Sequence, residues 1–267
     1  MSVLQEHIQN IENKGYTLIS GALSRFDYEK LLKQIKDLDV TGEKPKLDTV
    51  PYLNRGHKML YNLQNKSVDF IKVAFGCDVL NSVLRHFLND TWYRSIPEDN
   101  PNYILRSMIA RSGGPEMMPL HIDSMIPYKG EYVSVMQAAF VLEDQTTENG
   151  CTLVVPGSHQ FGQYADQESL KNAVPVESKA GDVVIWDSRL WHSALGNHSQ
   201  GTRWSFVVTF SRWYLKQMYN FKESLPQEFY YHLTDEDLSI LGFCSIPPRD
   251  EFERIDIKGG YELINRS

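Results

Sequence analysis

The chain has 267 residues, of which 42% are hydrophobic and 23% charged, and its formal net charge is −7. This composition predicts a soluble globular protein with a real core, and the acidic balance disfavours nucleic acid and anionic membranes, which need basic surfaces. No stretch approaches the ~20 apolar residues of a membrane span, and the N-terminus has no signal-peptide pattern. We therefore expect a cytoplasmic protein, monomer or homodimer, whose partner is a small molecule, with no nucleic acid and no membrane.

The first hundred residues show mostly helical spacing. A first helix should end at Gly15, a short strand should span 16–19, and Ser24 should cap a second helix. Two further helices are predicted over 69–75 and 79–88. The segment 41–58, rich in Gly, Pro and charge, is predicted to be a loop that covers a site.

From about residue 103 the pattern changes to short apolar runs separated by turn residues. Such a pattern predicts a β-sandwich or barrel. After residue 215 helix and loop return, with a helix start at Thr234, and this tail is a second candidate lid. We expect one domain over 1–267, with a helical part at about 1–100, a β core at about 101–214 and an extension over 215–267. The predicted strands are 103–110, 119–123, 133–142, 152–155, 183–186 and 204–213.

The three cysteines are far apart and form no CxxC pair, so neither a disulfide framework nor a cysteine zinc site is expected. They are interpreted as small buried hydrophobic residues. They are Cys77, Cys151 and Cys244.

The segment Leu120-His121-Ile122-Asp123 carries the first chemical signal. In a strand, His121 and Asp123 would point to the same face. An HxD pair alone is weak, since a hydrogen-bonded histidine at a strand end is the simpler interpretation. His192, at the end of another predicted strand, would complete two imidazoles and one carboxylate, a set that suits non-haem iron(II) because it leaves three coordination positions open.

Arg203 follows His192 by eleven residues and begins the last strong strand. A guanidinium at the mouth of a barrel can bind a carboxylate through two hydrogen bonds. If one end of 2-oxoglutarate chelates the iron, the distal carboxylate needs such a partner. The alternative is a solvated arginine at a strand end.

With these residues in place, the sequence resembles the phytanoyl-CoA dioxygenase family of iron(II)- and 2-oxoglutarate-dependent oxygenases over roughly residues 10–212. The resemblance implies a mainly β protein with flanking helices (α+β), whose core is a double-stranded β-helix (a cupin-like jelly roll). It implies His121, Asp123 and His192 as metal ligands and catalytic centre, Arg203 on 2-oxoglutarate, dioxygen as oxidant and ascorbate as an auxiliary reductant. His159 would be part of a structural turn. The motifs that carry the resemblance are Asn13-Lys14-Gly15-Tyr16, Glu148-Asn149-Gly150-Cys151, Pro156-Gly157-Ser158-His159 and Gly181-Asp182.

Asp123 bears on the type of reaction. Members of the family that halogenate have a small residue in place of this aspartate, so its presence favours hydroxylation of an unactivated C–H bond.

Other side chains are second-tier candidates. Gln137 should face the barrel interior and bind cosubstrate or substrate, unless it bonds only to backbone, and Ser193 could also bind 2-oxoglutarate. Arg106 and Arg111, if they face inward, predict an anionic group on the substrate, whereas aromatic residues would suit a cationic one. The candidate substrate-binding residues are Trp186, Tyr128, Met125, Met118 and Arg106.

The substrate itself stays open at this point. We favour a small polar natural-product intermediate, derived from an alkaloid or amino acid, over a free amino acid, an osmolyte or an acyl-CoA. A protein hydroxylase ranks lower, because the chain shows no peptide-reading module. The alternative from another class is a catalytically silent, cupin-like binding protein.

Overall fold

The computed structural model describes residues 2–41, 56–94, 96–97, 99–247 and 250. Within them, two antiparallel sheets are flanked by helices. The strands are β1 (Tyr16–Ile19), β2 (Lys58–Tyr61), β3 (Ile104–Ser112), β4 (Val135–Val141), β5 (Thr152–Val154), β6 (Val174–Val176), β7 (Val183–Asp187), β8 (His192–Ala194) and β9 (Trp204–Ser211). The helices are α1 (Val3–Lys14), α2 (Arg25–Thr41), α3 (Val68–Phe75), α4 (Asp78–Leu88), α5 (Phe221–Ser224) and α6 (Asp235–Ile240).

The larger sheet has the strand order β1-β7-β4-β9-β3-β2, and the smaller sheet has the order β6-β5-β8. Neighbouring strands in the larger sheet come from distant parts of the chain, as in a jelly roll. The N-terminal part, predicted to be mainly helical, therefore also supplies both edge strands of the larger sheet. All pairs in both sheets are antiparallel.

The two faces of β4 show how the core is divided. Met136, Ala138 and Phe140 belong to the main apolar cluster, which also holds residues of α2, α3 and α4. Ala139 belongs to a second cluster that includes residues of both sheets. Since side chains alternate along a strand, Gln137 lies on the same face as Ala139 and points between the sheets.

The chain entry into the larger sheet follows the prediction. Ser2 caps α1 by accepting a hydrogen bond from the Gln5 N–H, and Gly15 ends the helix in the left-handed region at φ 87°. A left-handed residue that is glycine avoids the steric cost of a Cβ. The turn places β1 directly against β7 over the four residues that were predicted to be a strand.

The strand predictions around the candidate ligands are wrong in detail. Residues 119–123 form no strand, and only His121 makes a bridge, to His192. His192 begins the short strand β8 instead of ending the strand before it. The patterns also missed β2 and β6, although β1 and β5, which are equally short, were predicted.

The predicted lids have different outcomes. The tail packs against the body of the protein where it is described, with Phe221, Leu233 and Leu238 buried in the main apolar cluster, and its role as a lid stays a prediction. Its helix start is confirmed: Thr234 and Asp237 form a capping box at the N-terminus of α6. Most of the predicted loop 41–58 lies outside the described residues.

No helix among the described residues has both the length and the apolar character to cross a membrane. The three cysteines are buried, as expected.

Candidate functional site

The three candidate ligands are brought together by backbone pairing. The N–H of each histidine, His121 and His192, donates to the carbonyl of the other at 3.0 Å. The N–H groups of Asp123 and Ser124 both donate to the Ser188 carbonyl, at 2.8 and 2.9 Å. The HxD segment is thus tied at two points to the turn between β7 and β8.

The ligand atoms have a spacing that suits a metal. His192 Nε2 lies 3.2 Å from Asp123 Oδ2, and His121 Nε2 lies 3.7 Å from Asp123 Oδ1. One ligand atom can be chosen from each of the three side chains so that all three atoms lie within 4.8 Å of one another. Adjacent ligands of an octahedral ion with bonds of about 2.1 Å are about 3.0 Å apart, so little movement is needed to bind one.

Hydrogen bonds set the tautomers of both imidazoles. His121 Nδ1 donates to the Pro119 carbonyl and His192 Nδ1 to the Leu190 carbonyl, each at 2.9 Å. A proton on Nδ1 leaves the Nε2 lone pair for a metal. Both Nε2 atoms are the ones that face Asp123.

The electrostatics keep Asp123 ionised. Burial by itself would raise its pKa, but His192 and then His121 lower it below its usual range, and the Trp186 indole adds to this effect. Burial lowers the pKa of His121 to about 4, with a contribution from His192. Burial acts to lower the pKa of His192, but the Asp123 carboxylate outweighs this effect, so the pKa of His192 is raised above its usual value. A carboxylate and a neutral imidazole are the forms that bind metal.

A buried ion pair holds the turn that carries Ser188. Arg189 Nη2 lies 2.6 Å from Asp187 Oδ2, and both side chains are almost completely buried. Arg189 Nη1 donates to the Gly130 carbonyl at 2.6 Å, and the guanidinium lies 4.6 Å from the centre of the Tyr128 ring. Arg189 therefore connects this turn to the loop that follows Asp123.

Arg203 is only 3% exposed and lies at the start of β9. Its Nη1 donates to Gln145 Oε1 at 3.3 Å, while Nε and Nη2 are buried and have no hydrogen-bond partner within the part of the chain that the structure describes. Burial lowers the pKa of Arg203 to about 9, and the positive charge of Arg111 adds to this effect. Two unsatisfied donors on a buried cation are costly, so the site is chemically suited to an anion.

Gln137 and Trp186 are neighbours on adjacent strands, beside the candidate ligands. Trp186 pairs with Gln137 in the sheet, and its ring centre lies 5.3 Å from that of His192. Ser107 Oγ donates to Thr209 Oγ1 at 3.1 Å, and Thr209 Oγ1 donates to Gln137 Oε1 at 2.7 Å. This chain of hydroxyls orients the Gln137 amide so that its nitrogen is the end left for a ligand.

Four of the second-tier candidates have contacts other than with the three candidate ligands. The Ser193 hydroxyl, on the strand face opposite His192, donates to the Met118 carbonyl. The Tyr128 hydroxyl bonds to Ser134, and Arg106 Nε donates to the Lys216 carbonyl at 3.2 Å. Met118 is buried at the backbone contact with β8. These side chains support loops and strand ends.

Met125 is different, because it follows Asp123 closely and is 65% exposed. Its φ of 69° is in the left-handed region, which is unusual for a residue with a side chain. It lies on the loop next to the ligands and has access to solvent.

The sequence reasoning missed Gln145 and Arg189. Gln145 is 3% exposed, and a buried amide requires partners, but nothing in the pattern around it distinguishes it from a loop residue. Arg189 could have been noticed from its spacing, two residues after Asp187 in a segment already assigned to the site.

Comparison with known families gives one match over most of the chain. Residues 11–205 match the model of the phytanoyl-CoA dioxygenase (PhyH) family.

Individual relatives share shorter or more distant segments. An uncharacterised protein of Mycobacterium tuberculosis is 38% identical over 95 residues, which cover 35% of this chain and 35% of that protein. Dioxygenase af480 of Aspergillus fumigatus is 31% identical over 143 residues, covering 52% of this chain and 46% of its own. Dioxygenase himG of Aspergillus japonicus is 26% identical, with 78% of this chain and 68% of its own covered. The chain thus spans less than half the length of the first two relatives.

Solved structures share the fold at low identity. HygX from Streptomyces hygroscopicus, determined with nickel and 2-oxoglutarate bound, superposes with a TM-score of 0.62 at 16% identity, covering 81% of this chain and 90% of its own. The 2-oxoglutarate-dependent epimerase SnoN from nogalamycin biosynthesis superposes with a TM-score of 0.61 at 18% identity, covering 78% and 82%. These likenesses confirm the predicted jelly roll.

Proposed function

The chain belongs to the phytanoyl-CoA dioxygenase family, and we propose that it is an iron(II)- and 2-oxoglutarate-dependent hydroxylase of a small polar molecule. The observation that carries the proposal is the pairing of two complementary groups inside one barrel. His121, Asp123 and His192 present a two-histidine, one-carboxylate set, and Arg203 presents a buried cation with two unsatisfied donors. A dicarboxylate with a 2-oxo group needs both.

The residues of the chain fit iron(II) and 2-oxoglutarate by their donor chemistry. Two imidazole nitrogens and one carboxylate bind iron(II) and leave positions open for a bidentate ligand and dioxygen. When bound, iron(II) and 2-oxoglutarate would supply, together with dioxygen, an oxidant strong enough for an unactivated C–H bond, with succinate and carbon dioxide as by-products. Arg203 would bind the distal carboxylate through Nε and Nη2.

The protein's own contribution is orientation. The bonds from the two Nδ1 atoms to Pro119 and Leu190 fix the imidazoles, and the Asp187–Arg189 pair fixes the turn behind them. Trp186 and Gln137 lie beside the ligands and would contact the substrate, while Met125 would line its entrance. Such positioning, rather than acid–base catalysis, is what the reaction requires of the protein.

Hydroxylation is preferred within the oxygenase class because Asp123 occupies the position that a halide would need. A natural-product intermediate is preferred as substrate, since solved neighbours include enzymes of nogalamycin biosynthesis. Those neighbours are an epimerase and a carbocyclase, so an oxidation with another outcome is the second candidate. Both start from the same bound cosubstrate.

The test is substrate-dependent succinate formation. Purified protein with iron(II), 2-oxoglutarate and air, given a panel of small polar natural products, should release succinate and a product heavier by one oxygen atom. His121→Ala should abolish both, because one imidazole ligand is lost. Full turnover by this variant would rule out the assignment of the metal site.

A catalytically silent binding protein is the rival. Anaerobic addition of iron(II) and 2-oxoglutarate separates the two, because only a chelated complex gives a weak visible charge-transfer absorption. A protein that binds iron without this absorption would fit the rival function.

A further inference from the structure

The guanidinium of Arg203 has one occupied side and one open edge. Nη1 is taken by Gln145 Oε1 at 3.3 Å. Nε and Nη2, which together form the adjacent edge, are buried and have no hydrogen-bond partner among the described residues. A carboxylate can bind such an edge through two parallel hydrogen bonds.

Gln145 is itself held firmly. Its Nε2 donates to Ser205 Oγ at 2.6 Å, so its Oε1 is the end turned to Arg203. Its backbone N–H and carbonyl both bond to Ser178, at 2.8 and 3.0 Å. The amide therefore fixes the rotation of the guanidinium and blocks an approach through Nη1.

Gly113 faces the open edge. A Cβ at this position would lie 2.8 Å from Arg203 Nη2 and 3.5 Å from Nε. Gly113 directly follows Ser112, whose Oγ accepts a hydrogen bond from the Arg203 N–H at 3.1 Å. The bond from Arg203 to Ser112 keeps Gly113 next to Arg203, and any side chain at Gly113 would occupy the space beside both free donors.

We propose that Gln145 and Gly113 make this site selective for a 2-oxo acid that carries a second carboxylate at its far end. Gln145 is a positioning residue that leaves Arg203 a single binding edge. Gly113 determines specificity, because its missing side chain leaves the volume that a carboxylate needs at that edge. The inference rests on the proposed function, since it takes 2-oxoglutarate to be the ligand.

The decisive comparison uses two ligands of equal chain length. Iron(II)-loaded protein is titrated anaerobically with 2-oxoglutarate and with 2-oxopentanoate, which has a methyl group in place of the distal carboxylate. Gly113→Ala should raise the Kd for 2-oxoglutarate on the order of 100-fold, as expected when a buried charge loses its partner. Its Kd for 2-oxopentanoate should rise far less, because a methyl group is smaller than a carboxylate and makes no ion pair with Arg203.

Gly201→Ala is the matched control. It lies two residues before Arg203, and among the described residues a Cβ there would meet only Ser199 Oγ, at 3.9 Å. This variant should bind both ligands like the wild type. If Gly113→Ala kept the wild-type preference for 2-oxoglutarate, the proposed role of Gly113 would be overturned.

Gln145→Leu tests the positioning role separately. The Kd of this variant for 2-oxoglutarate should rise about tenfold, in line with the loss of a hydrogen bond to a charged group. Its Kd for 2-oxopentanoate should not change. General structural damage would instead weaken both ligands equally, and that result would overturn the role of Gln145. Iron(II) affinity, measured on the same samples, reports whether each variant is folded.

Different results would contradict the proposed function and the proposed roles of Gln145 and Gly113. If the wild type shows no charge-transfer absorption with 2-oxoglutarate, the proposed function fails. If the wild type binds 2-oxoglutarate and both variants keep its preference, only the selective site around Arg203 fails.

Discussion

The barrel interior holds two polar regions with opposite character. At the metal-ligand region, the side chains of His121 and Asp123 remain 32% and 26% exposed, and an anion is surrounded by imidazoles. At the Arg203 region, a cation is only 3% exposed and two of its donors are unsatisfied. The accessible region is suited to exchange of ligands and substrate, and the enclosed one to a permanent anchor.

The cost of the two regions also differs. In the ligand-free protein, the Asp123 carboxylate already has partners, because it lies against two imidazoles. The Arg203 region is incomplete, since a buried guanidinium with free N–H groups loses hydration without full compensation. Four substitutions test this difference, in order of expected effect.

Asp123→Ala should have the largest effect. Removing the only carboxylate of the set should lower iron(II) affinity by more than about 100-fold, since even partners outside the ligand shell are worth 10–100-fold. Anaerobic equilibrium dialysis with iron(II) measures this loss. Glu131→Ala, an exposed carboxylate on the same loop, should bind iron like the wild type, and retention of iron by Asp123→Ala would contradict the assignment.

Arg203→Leu should separate binding from stability. The Kd for 2-oxoglutarate should rise by about 100-fold or more, while the free energy of unfolding of the ligand-free protein should stay equal or increase, because an unsatisfied buried cation is removed. Urea denaturation and anaerobic titration measure the two quantities. A loss of stability above about 2 kcal/mol would mean that the guanidinium is already satisfied in the free protein.

Arg189→Lys should affect the metal-ligand region through the turn at Ser188. Lysine keeps the charge but cannot reach both Asp187 and Gly130 with a planar fork, so we expect a loss of about 2 kcal/mol in unfolding free energy. Iron(II) affinity should fall about tenfold. Arg25→Lys, on the exposed surface of α2, is the control. If the two variants had the same unfolding free energy and iron(II) affinity, Arg189 would have no role in supporting the metal-ligand region.

Thr209→Val should have the smallest effect. It deletes the hydroxyl that bonds to Gln137 Oε1 at 2.7 Å, at a cost of about 1 kcal/mol in unfolding free energy. The Kd for 2-oxoglutarate should not change, because Gln137 is assigned to the substrate. A clear rise in that Kd would mean that Gln137 contacts the cosubstrate instead.

Most secondary structure could be predicted because it depends on local rules. Gly15 ends α1 since glycine accepts a positive φ, and Thr234 begins α6 since its hydroxyl caps the helix. The long strands β3, β4 and β9 were found because each is rich in apolar residues over seven or more positions. Of the short strands, β1 and β5 were found but β2, β6 and β8 were not, because partners far away in the chain determine whether three or four residues pair.

The sequence alone determined which groups are chemically special: His121, Asp123, His192 and Arg203 stood out by type and spacing. Only the tertiary structure decided how they work. Residues 119–123 form no strand, yet His121 and Asp123 converge because each is bonded to the β7–β8 turn or to β8. Likewise, the open edge of Arg203 depends on Gln145, 58 residues away, and on the absence of a side chain at Gly113. Such contacts depend on packing between distant segments, which no local pattern encodes.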